Sequence, residues 1–506
     1  MFVLLLSIIL SSTVLSAKTY TEVPADAKKV LESLPRKTVS LDFITQLAMA
    51  GSDSFKMLKA QFPTIEVADL MAKAPMSFNL DTGYNYYKSE NEPDSLFGPT
   101  RLENNYWNLG FSKYFFTGTN LSVNMVQGHY TRTMPSVQFQ SAYDDVYKTT
   151  AELTLTQNLW KDSFGYATRR NLKRGQLDTE VRKIEIDESI EEWLMGITGI
   201  FYRAWGAQND ARAAQQGFAR RERLLGITQR KVSSGTGERP DLLQVRSAVA
   251  GSNIRLMNAR ETLDSIWRDL VMTLKLPTSW LNIDPLLIPV ELDNPTEAAL
   301  GMCSRAIPSP TINSSYRKAL MQKDSANLAY EATRNNANPT LSLNLIGGGN
   351  GVDPTSLSTA SSEATAIDHP HYAGMLVFKM PLNNYAGEAQ VRQAMALRDI
   401  NEAKASQAKN AFESDWMTTC DQLMNWKEKV NSLKQVLGNQ KERVALEESR
   451  FRFGRVPLMN VIQSGDDETD AQINYNNAQI QFRLTAWKIK RMTGLAKTYL
   501  EGLAKK

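Results

Sequence analysis

Few residues in this chain have the types and spacing that do covalent or metal chemistry. There are three His and two Cys in 506 residues. His369-Pro370-His371 pairs two imidazoles, but no Cys or third His accompanies them. Cys303 and Cys420 stand far apart, and no close Cys pair of the metal-binding kind occurs. Gly347-Gly348-Gly349 lacks the Lys-Ser/Thr that a phosphate-binding loop needs. No nucleophile elbow and no zinc motif is present. These residues predict no catalysis, no cofactor and no metal. The pattern that does carry chemistry is a polar stripe. Asn460, Gln463, Asp467, Asp470, Asn474, Asn477 and Gln481 recur at spacings of three and four, on one helix face. Asp241, Gln244, Ala248, Gly251, Arg255, Asn258 and Thr262 repeat that spacing earlier in the chain. Such a stripe is a water-facing surface, as an ordinary solvated face or as something more specific.

The elements that position the stripe are repeated. Residues 241–276 align without a gap on 460–495, with Gln244/Gln463, Ile254/Ile473, Asn258/Asn477, Ala259/Ala478 and Leu276/Leu495 identical. Apolar residues in both copies follow a heptad rich in Ala and Ser, which lets helices approach closely. A Pro-free segment of equal length precedes each copy, 162–232 and 383–453. A continuous helix that long reaches on the order of 100 Å. Ser233-Ser234-Gly235-Thr236-Gly237 with Pro240, and Gly454 with Pro457, break the chain between the two helices of each half. Each half therefore predicts a long helix, a tight turn and a return helix.

Strands precede each hairpin. Phe78, Leu80, Thr82, Tyr84 and Tyr86 alternate, as do Trp107, Leu109, Phe111, Lys113 and Phe115. Leu121 to Gln127, Ala151 to Leu159, Leu341 to Leu345 and Leu376 to Met380 alternate likewise. Tyr84, Tyr86, Tyr87, Tyr106, Trp107, Tyr114 and Trp160 suit interfacial girdles, and equally an aromatic face of a soluble sheet. Residues 347–372, rich in Gly, Ser, Thr and Ala, read as an exposed loop.

Composition excludes several classes. Apolar residues make up 42% without a run of about 20, against a polytopic helical membrane protein. Nine Trp, 17 Tyr and 18 Phe argue against wholesale disorder. A net charge of +4 falls short of a nucleic-acid binder's basic excess. Residues 2–10 are apolar and small residues follow, so 1–17 reads as a signal peptide, although no Lys or Arg precedes the run.

The duplicated order of strands, long helix and return helix behind a signal peptide resembles the TolC-like outer-membrane efflux proteins. Leu153-Thr154-Leu155-Thr156-Gln157-Asn158-Leu159 resembles the family's last strand before its first long helix, and Met380-Pro381-Leu382-Asn383 the equivalent corner in the second half. Phe451-Arg452-Phe453-Gly454 with Asn460-Val461-Ile462 resembles the tip turn; Pro240-Asp241-Leu242-Leu243 is its first-half version. Pro339-Thr340-Leu341-Ser342-Leu343 resembles the entry to the strands.

The resemblance implies a mixed fold: long antiparallel α-helical hairpins forming a periplasmic tube, and a transmembrane β-barrel completed by oligomerisation. It divides the chain into a first repeat over 18–276, an equatorial linker over 277–310, a second repeat over 311–495 and a tail over 496–506. It implies a homotrimer in outer-membrane lipid, with a periplasmic adaptor (membrane fusion) protein and an inner-membrane transporter as partners and no nucleic acid. The duct is passive, and serves efflux or type I secretion. On this reading Asn460, Gln463, Asp467, Asp241 and Gln244 line the pore constriction, and Phe451 and Val456 close the tip. Gly235, Gly237, Pro240, Gly454, Arg455 and Pro457 meet the adaptor. Asn460 and Gln463 stand where the family carries acidic residues, and Phe451 and Val456 where it carries a locking Tyr and Arg. The family wraps its linker around the tube, which allows Cys303 and Cys420 to meet; the residues alone leave their pairing open. The segment 105–131 adds a hairpin to the family's four strands, either widening the sheet or standing above it. Arg169, Arg170, Lys173 and Arg174 read as solvated charge or as phosphate contacts at a membrane edge. A periplasmic coiled-coil scaffold with a soluble β-domain and no pore is the alternative.

Overall fold

The computed structural model describes residues 38–504 apart from 91, 93–97, 277 and 289. The signal peptide expected over 1–17 lies outside the described residues. The chain forms two units. One contains Pro63–Glu185 and Ser315–Lys409; the other contains the chain up to Phe62, Ile186–Ser314 and the residues from Asn410 on.

The first of these units is built on one antiparallel sheet. Its strands are β1 (Phe78–Glu90), β2 (Arg101–Tyr114), β3 (Thr119–Thr133), β4 (Asp145–Asn158), β5 (Thr340–Asp353) and β6 (Pro370–Lys379). They lie side by side in chain order, so β1 and β6 are the edges. The hairpin over 105–131 therefore stands inside the sheet, as β2 and β3 between β1 and β4. Alternation along each strand fixes two unlike faces. Leu80, Phe111, Val123, Leu153, Gly347 and Tyr372 stand opposite one another in one row across the sheet. The next row, on the other face, is Asp81, Gly110, Asn124, Glu152, Gly348 and His371.

The exposed loop expected over 347–372 is mostly regular structure. β5 runs to Asp353, a helix follows over Leu357–Ala366, and β6 starts at Pro370. The glycines are there for packing. A Cβ on Gly349 would stand 2.2 Å from the carbonyl oxygen of Ala364, and one on Gly351 1.8 Å from that of Ala360. Only glycine lets that helix lie against the strand.

The helices are α1 (Leu41–Gly51), α2 (Asp53–Lys59), α3 (Val67–Lys73), α4 (Tyr166–Ser233), α5 (Arg239–Thr273) and α6 (Thr296–Cys303). Then come α7 (Ser314–Asn336), α8 over Leu357–Ala366, α9 (Tyr385–Arg452), α10 (Leu458–Met492) and α11 (Leu495–Ala504). Tyr166 and Tyr385, Ser233 and Arg452, Arg239 and Leu458, and Thr273 and Met492 all stand 219 residues apart. The bounds differ from expectation for local reasons. α4 begins four residues after Asp162, because Asp162, Phe164 and Gly165 all have positive φ. The Asp162 carboxylate instead accepts from the Thr168 amide at 2.9 Å and from the Tyr114 hydroxyl at 2.6 Å. The return helices start two residues early and stop three early, since Lys275 and Gly494 turn left-handed. The expected tail over 496–506 is helical up to Ala504, with Ala496, Leu500 and Leu503 buried along α11.

The core of the second unit joins the helices to the linker. Trp267, Trp280, Phe201 and Trp487 are buried together with Tyr202. The Tyr202 hydroxyl donates to Asp293 at 2.6 Å and accepts from Trp487 Nε1 at 3.0 Å. Burial, with Asp293 beside it, raises the Tyr202 pKa far above the ordinary range, so the hydroxyl stays a donor. Gln208 donates to the carbonyls of Pro285 and Ile288 at 2.7 and 2.6 Å. A Cys303–Cys420 disulfide ties α6 to α9, closing a separation of 117 residues. Replacing both cysteines with Ser is expected to cost about 2–5 kcal/mol. An unchanged unfolding midpoint, with and without reductant, would contradict that.

Candidate functional surfaces at the hairpin tips and on the sheet

The sheet exposes apolar side chains that a water-soluble sheet buries. Phe78 is 75% exposed, Leu376 66% and Trp107 58%. Their face is apolar across all six strands. Towards the far end of β1 the same face turns aromatic, with Tyr84 against Trp107 at 4.9 Å. Beyond that it turns charged: Lys88 pairs with Glu90 at 2.9 Å, and Arg101 with Glu103. Near the start of β1, the Lys113 ammonium lies 3.9 Å from the Phe78 ring centroid, and Trp160 stacks on Phe378. The opposite face is hydrogen-bonded and polar. His371 Nε2 lies 3.1 Å from Glu152 and Nδ1 3.1 Å from Asn350. Among the described residues no group of His, Cys, Asp and Glu is placed to hold a metal ion. No helix of the described residues is long and apolar enough to cross a membrane. Three of the four basic residues at the start of α4 are engaged within the protein. Arg170 pairs with Glu331 at 2.7 Å, Arg174 with Asp178 at 3.7 Å, and Arg169 donates to the Phe164 carbonyl.

The two hairpin tips share one backbone device. At the end of α4 the amides of Gly235 and Thr236 donate to the carbonyls of Val232 and Lys231 at 3.1 and 2.9 Å. At the end of α9 the amides of Gly454 and Arg455 donate to Phe451 and Arg450, both at 3.0 Å. This is the helix stop in which a left-handed residue satisfies the last carbonyls. Gly235 has φ +75° and Gly454 +70°. Pro240 and Pro457 then start the return helices without needing an amide donor. Gly237 is close-packed, since a Cβ there would sit 3.0 Å from Lys231 Cβ. Pro240, Arg455 and Pro457 are exposed.

Inside the tips the proposed closure residues meet. Phe451 is buried and packs with Leu224, Val245, Leu458 and Val461, and Val456 lies against that cluster. Lys231 donates to the Phe451 carbonyl and sits 4.3 Å above its ring. Asn460 and Gln463 are exposed on α10, as are Asp470, Asn474, Asn477 and Gln481. Asp467 continues the stripe but is not free. It accepts from Gln463 at 2.8 Å and pairs with Arg443 at 2.9 Å. Asp241 is half-buried, and Gln244 reaches Met459 Sδ at 3.5 Å.

The sequence reading missed an ionic cluster one to two turns further in. Arg221, almost fully buried, donates to the carbonyls of Val461 and Ile462 and pairs with Asp466 at 2.9 Å. Arg255 pairs with the same Asp466 oxygen at 2.9 Å, and Arg220 pairs with Glu468. Gly465 leaves the room: a Cβ there would stand 3.2 Å from the Arg221 guanidinium. The only signal in the sequence is that the Arg220-Arg221 doublet and Gly465-Asp466 have no counterpart at the repeat offset.

A Cβ on Gly454 would meet no atom within 4 Å, so only the backbone resists substitution there. Gly454→Val is expected to destabilise the tip by about 1–2 kcal/mol, and Gly454→Asn by less. Limited proteolysis at 453–457 checks this; equal cleavage of the native and Val chains would refute it.

No family model and no curated protein matches the chain. Solved structures do. The CmeC outer membrane channel of Campylobacter jejuni superposes with a TM-score of 0.65 at 11% identity, over 97% of this chain and 93% of that one. The outer membrane protein VceC of Vibrio cholerae gives 0.63 at 12%, over 90% and 96%. The MtrE outer membrane channel of Neisseria gonorrhoeae, in its open state, gives 0.60 at 12%, over 90% and 88%. With the two-faced sheet and the paired hairpins, this gives the chain the fold of the outer-membrane efflux channels, the fold its resemblance to the TolC-like proteins implies.

Proposed function

We propose that the chain is an outer-membrane exit duct, working in a tripartite efflux or type I secretion system. Three copies close one barrel from their sheets, and the helical hairpins extend into the periplasm as a tube. An inner-membrane transporter and a periplasmic adaptor deliver substrates, which the duct conducts without a reaction. The observation that carries this reading is the sheet: six strands with an apolar face exposed and both edges open. In lipid every backbone amide and carbonyl needs a partner, so open edges demand closure. Six strands fall short of the roughly eight of the smallest common membrane barrels, so closure takes several copies. The apolar rows then meet lipid, the aromatic ends meet the two interfaces, and the polar rows line water. The solved channels of the same fold support the same role.

The scaffold alternative separates cheaply. A duct fractionates with outer membranes and needs detergent; a scaffold without a pore is released by osmotic shock. Faces are tested by a pair of variants. Val123→Arg puts a charge on the apolar face and is expected to cost about 2–4 kcal/mol, while Asn124→Arg on the polar face costs little. The measure is the amount of assembled oligomer in the membrane fraction; equal loss from both variants would sink the assignment of faces.

At the tip, Asn460 and Gln463 give neutral rings in a trimer, and Arg443 answers the Asp467 carboxylate. Clustered carboxylates attract divalent cations, and amides do not. Planar-bilayer conductance is therefore expected to show weak block by Mg²⁺ from the tip side, and stronger block in Asn460→Asp/Gln463→Asp. Strong block of the native channel, unchanged in that variant, would overturn the assignment.

A further inference from the structure

The polar face of the sheet has a composition of its own. Nine of the ten Asn in the six strands stand on it, and only Asn105 stands on the apolar face. Asn79, Asn85, Asn104, Asn108, Asn120 and Asn124 all reach the surface, and among the described residues none of their side-chain amides makes a hydrogen bond. Two of these amides lie across a glycine of the neighbouring strand. A Cβ on Gly83 would stand 2.6 Å from Asn108 Oδ1, and one on Gly110 3.3 Å from Asn124 Oδ1. Tyr106 lies across Gly128 in the same way, where a Cβ would stand 2.4 Å from that of Tyr106. In each case the two residues are direct partners in the ladder. A larger residue in place of the glycine would displace the side chain that covers it. The Tyr106 ring is parallel to that of Tyr130 within 7°, at 6.3 Å between centroids. Charges on this face are few and of both signs, Asp81 and Glu152 against Lys148, Arg132 and Lys379. Arg132 pairs with Asp144 at 2.6 Å, and Glu152 lies 3.1 Å from His371.

That lining selects among cargoes by chemistry. Pores that choose ions carry rings of one charge sign, and this face carries none. A nucleic acid calls for a basic excess, which is absent too. A side-chain amide is a donor and an acceptor together, and so is a hydroxyl. Rows of unpaired amides therefore match a cargo that presents many hydroxyls and no charge. Aromatic ring faces are electron-rich, and the C–H face of a sugar ring packs on them. Three copies of the six-stranded sheet would make eighteen strands, a size at which barrels enclose an aqueous channel instead of a packed core.

We propose that this face binds uncharged saccharide chains as they pass through the duct. The inference rests on the exit-duct reading and names a cargo class for it. The test reconstitutes the full-length oligomer in a planar bilayer and adds maltoheptaose on the extracellular side, so that no sugar has to cross the helical tips first. Only assembled channels carry current, so a variant that fails to assemble is not scored. Maltoheptaose is expected to interrupt the native current, with a residence time about tenfold longer than that of polyethylene glycol or a Gly-Ser peptide of equal mass. Tyr106→Ala/Asn108→Ala/Asn124→Ala is expected to shorten that residence about tenfold. Asn105→Ala, on the apolar face, is expected to leave it unchanged. No interruption, or equal residence for polyethylene glycol or the peptide, would overturn the inference on the native channel alone. Unchanged residence in the triple variant, or an equal loss in Asn105→Ala, would overturn its assignment to this face. A native oligomer that carries no ion current would overturn the exit-duct reading itself, and the inference with it.

Discussion

The open edges of the sheet are the constraint on which the rest depends. β1 and β6 each leave a row of backbone donors and acceptors without strand partners. A soluble sheet manages such edges with charge, proline or a covering element. Here β6 carries exposed Leu376 and Phe378 instead, and β1 carries Phe78, Leu80 and Tyr84. Stability in water and stability in lipid call for opposite faces, and this register leaves the apolar rows exposed on one side. The helix α8 covers the Gly-rich part of β5, so that stretch of apolar face needs no further partner.

The helical hairpins answer a different constraint, that helices of 68 residues need support along their length. Their apolar stripes are sparse in large residues, so no single pair of helices buries enough surface to stand alone. The linker supplies the missing contacts. It presents carbonyls to Gln208, Asp293 to Tyr202 and Cys303 to Cys420. A disulfide of this kind persists in an oxidising compartment, which agrees with the export reading of the sequence.

Much of this was legible in the sequence, because period-2 and heptad patterns report directly on which side of an element is apolar. The strands, the hairpins and the tip glycines could be read that way. Where reading failed, the cause was tertiary. Gly347, Gly349 and Gly351 have loop composition, but a helix backbone within 2.2 Å of two of their missing Cβ atoms is what excludes larger residues. Asp162 has the look of an early helical residue, but its carboxylate is held by Thr168 and Tyr114, and its φ of 51° delays the helix. The partners of Arg220 and Arg221 lie more than 240 residues away, beyond any local pattern.

The ionic cluster also qualifies the symmetry of the repeats. The boundaries of the long and return helices repeat at the same offset, so the two turns have nearly equal backbones. The contacts do not repeat. Arg220 and Arg221 belong to the first half, while Gly465, Asp466 and Glu468 belong to the second, with Arg246, Ser247 and Val249 at the equivalent positions of the first. A buried arginine that loses its carboxylate is costly, because the charge stays desolvated. Separating α10 from α4 near the tip would therefore expose or strand the Arg221 charge, whereas Asn439 and Gln440 stand at the positions of Arg220 and Arg221 in the second half and carry no charge. Equal backbones thus carry unequal electrostatics: the ionic cluster holds the first hairpin to the second through α4 and α10, at positions the repeat does not duplicate.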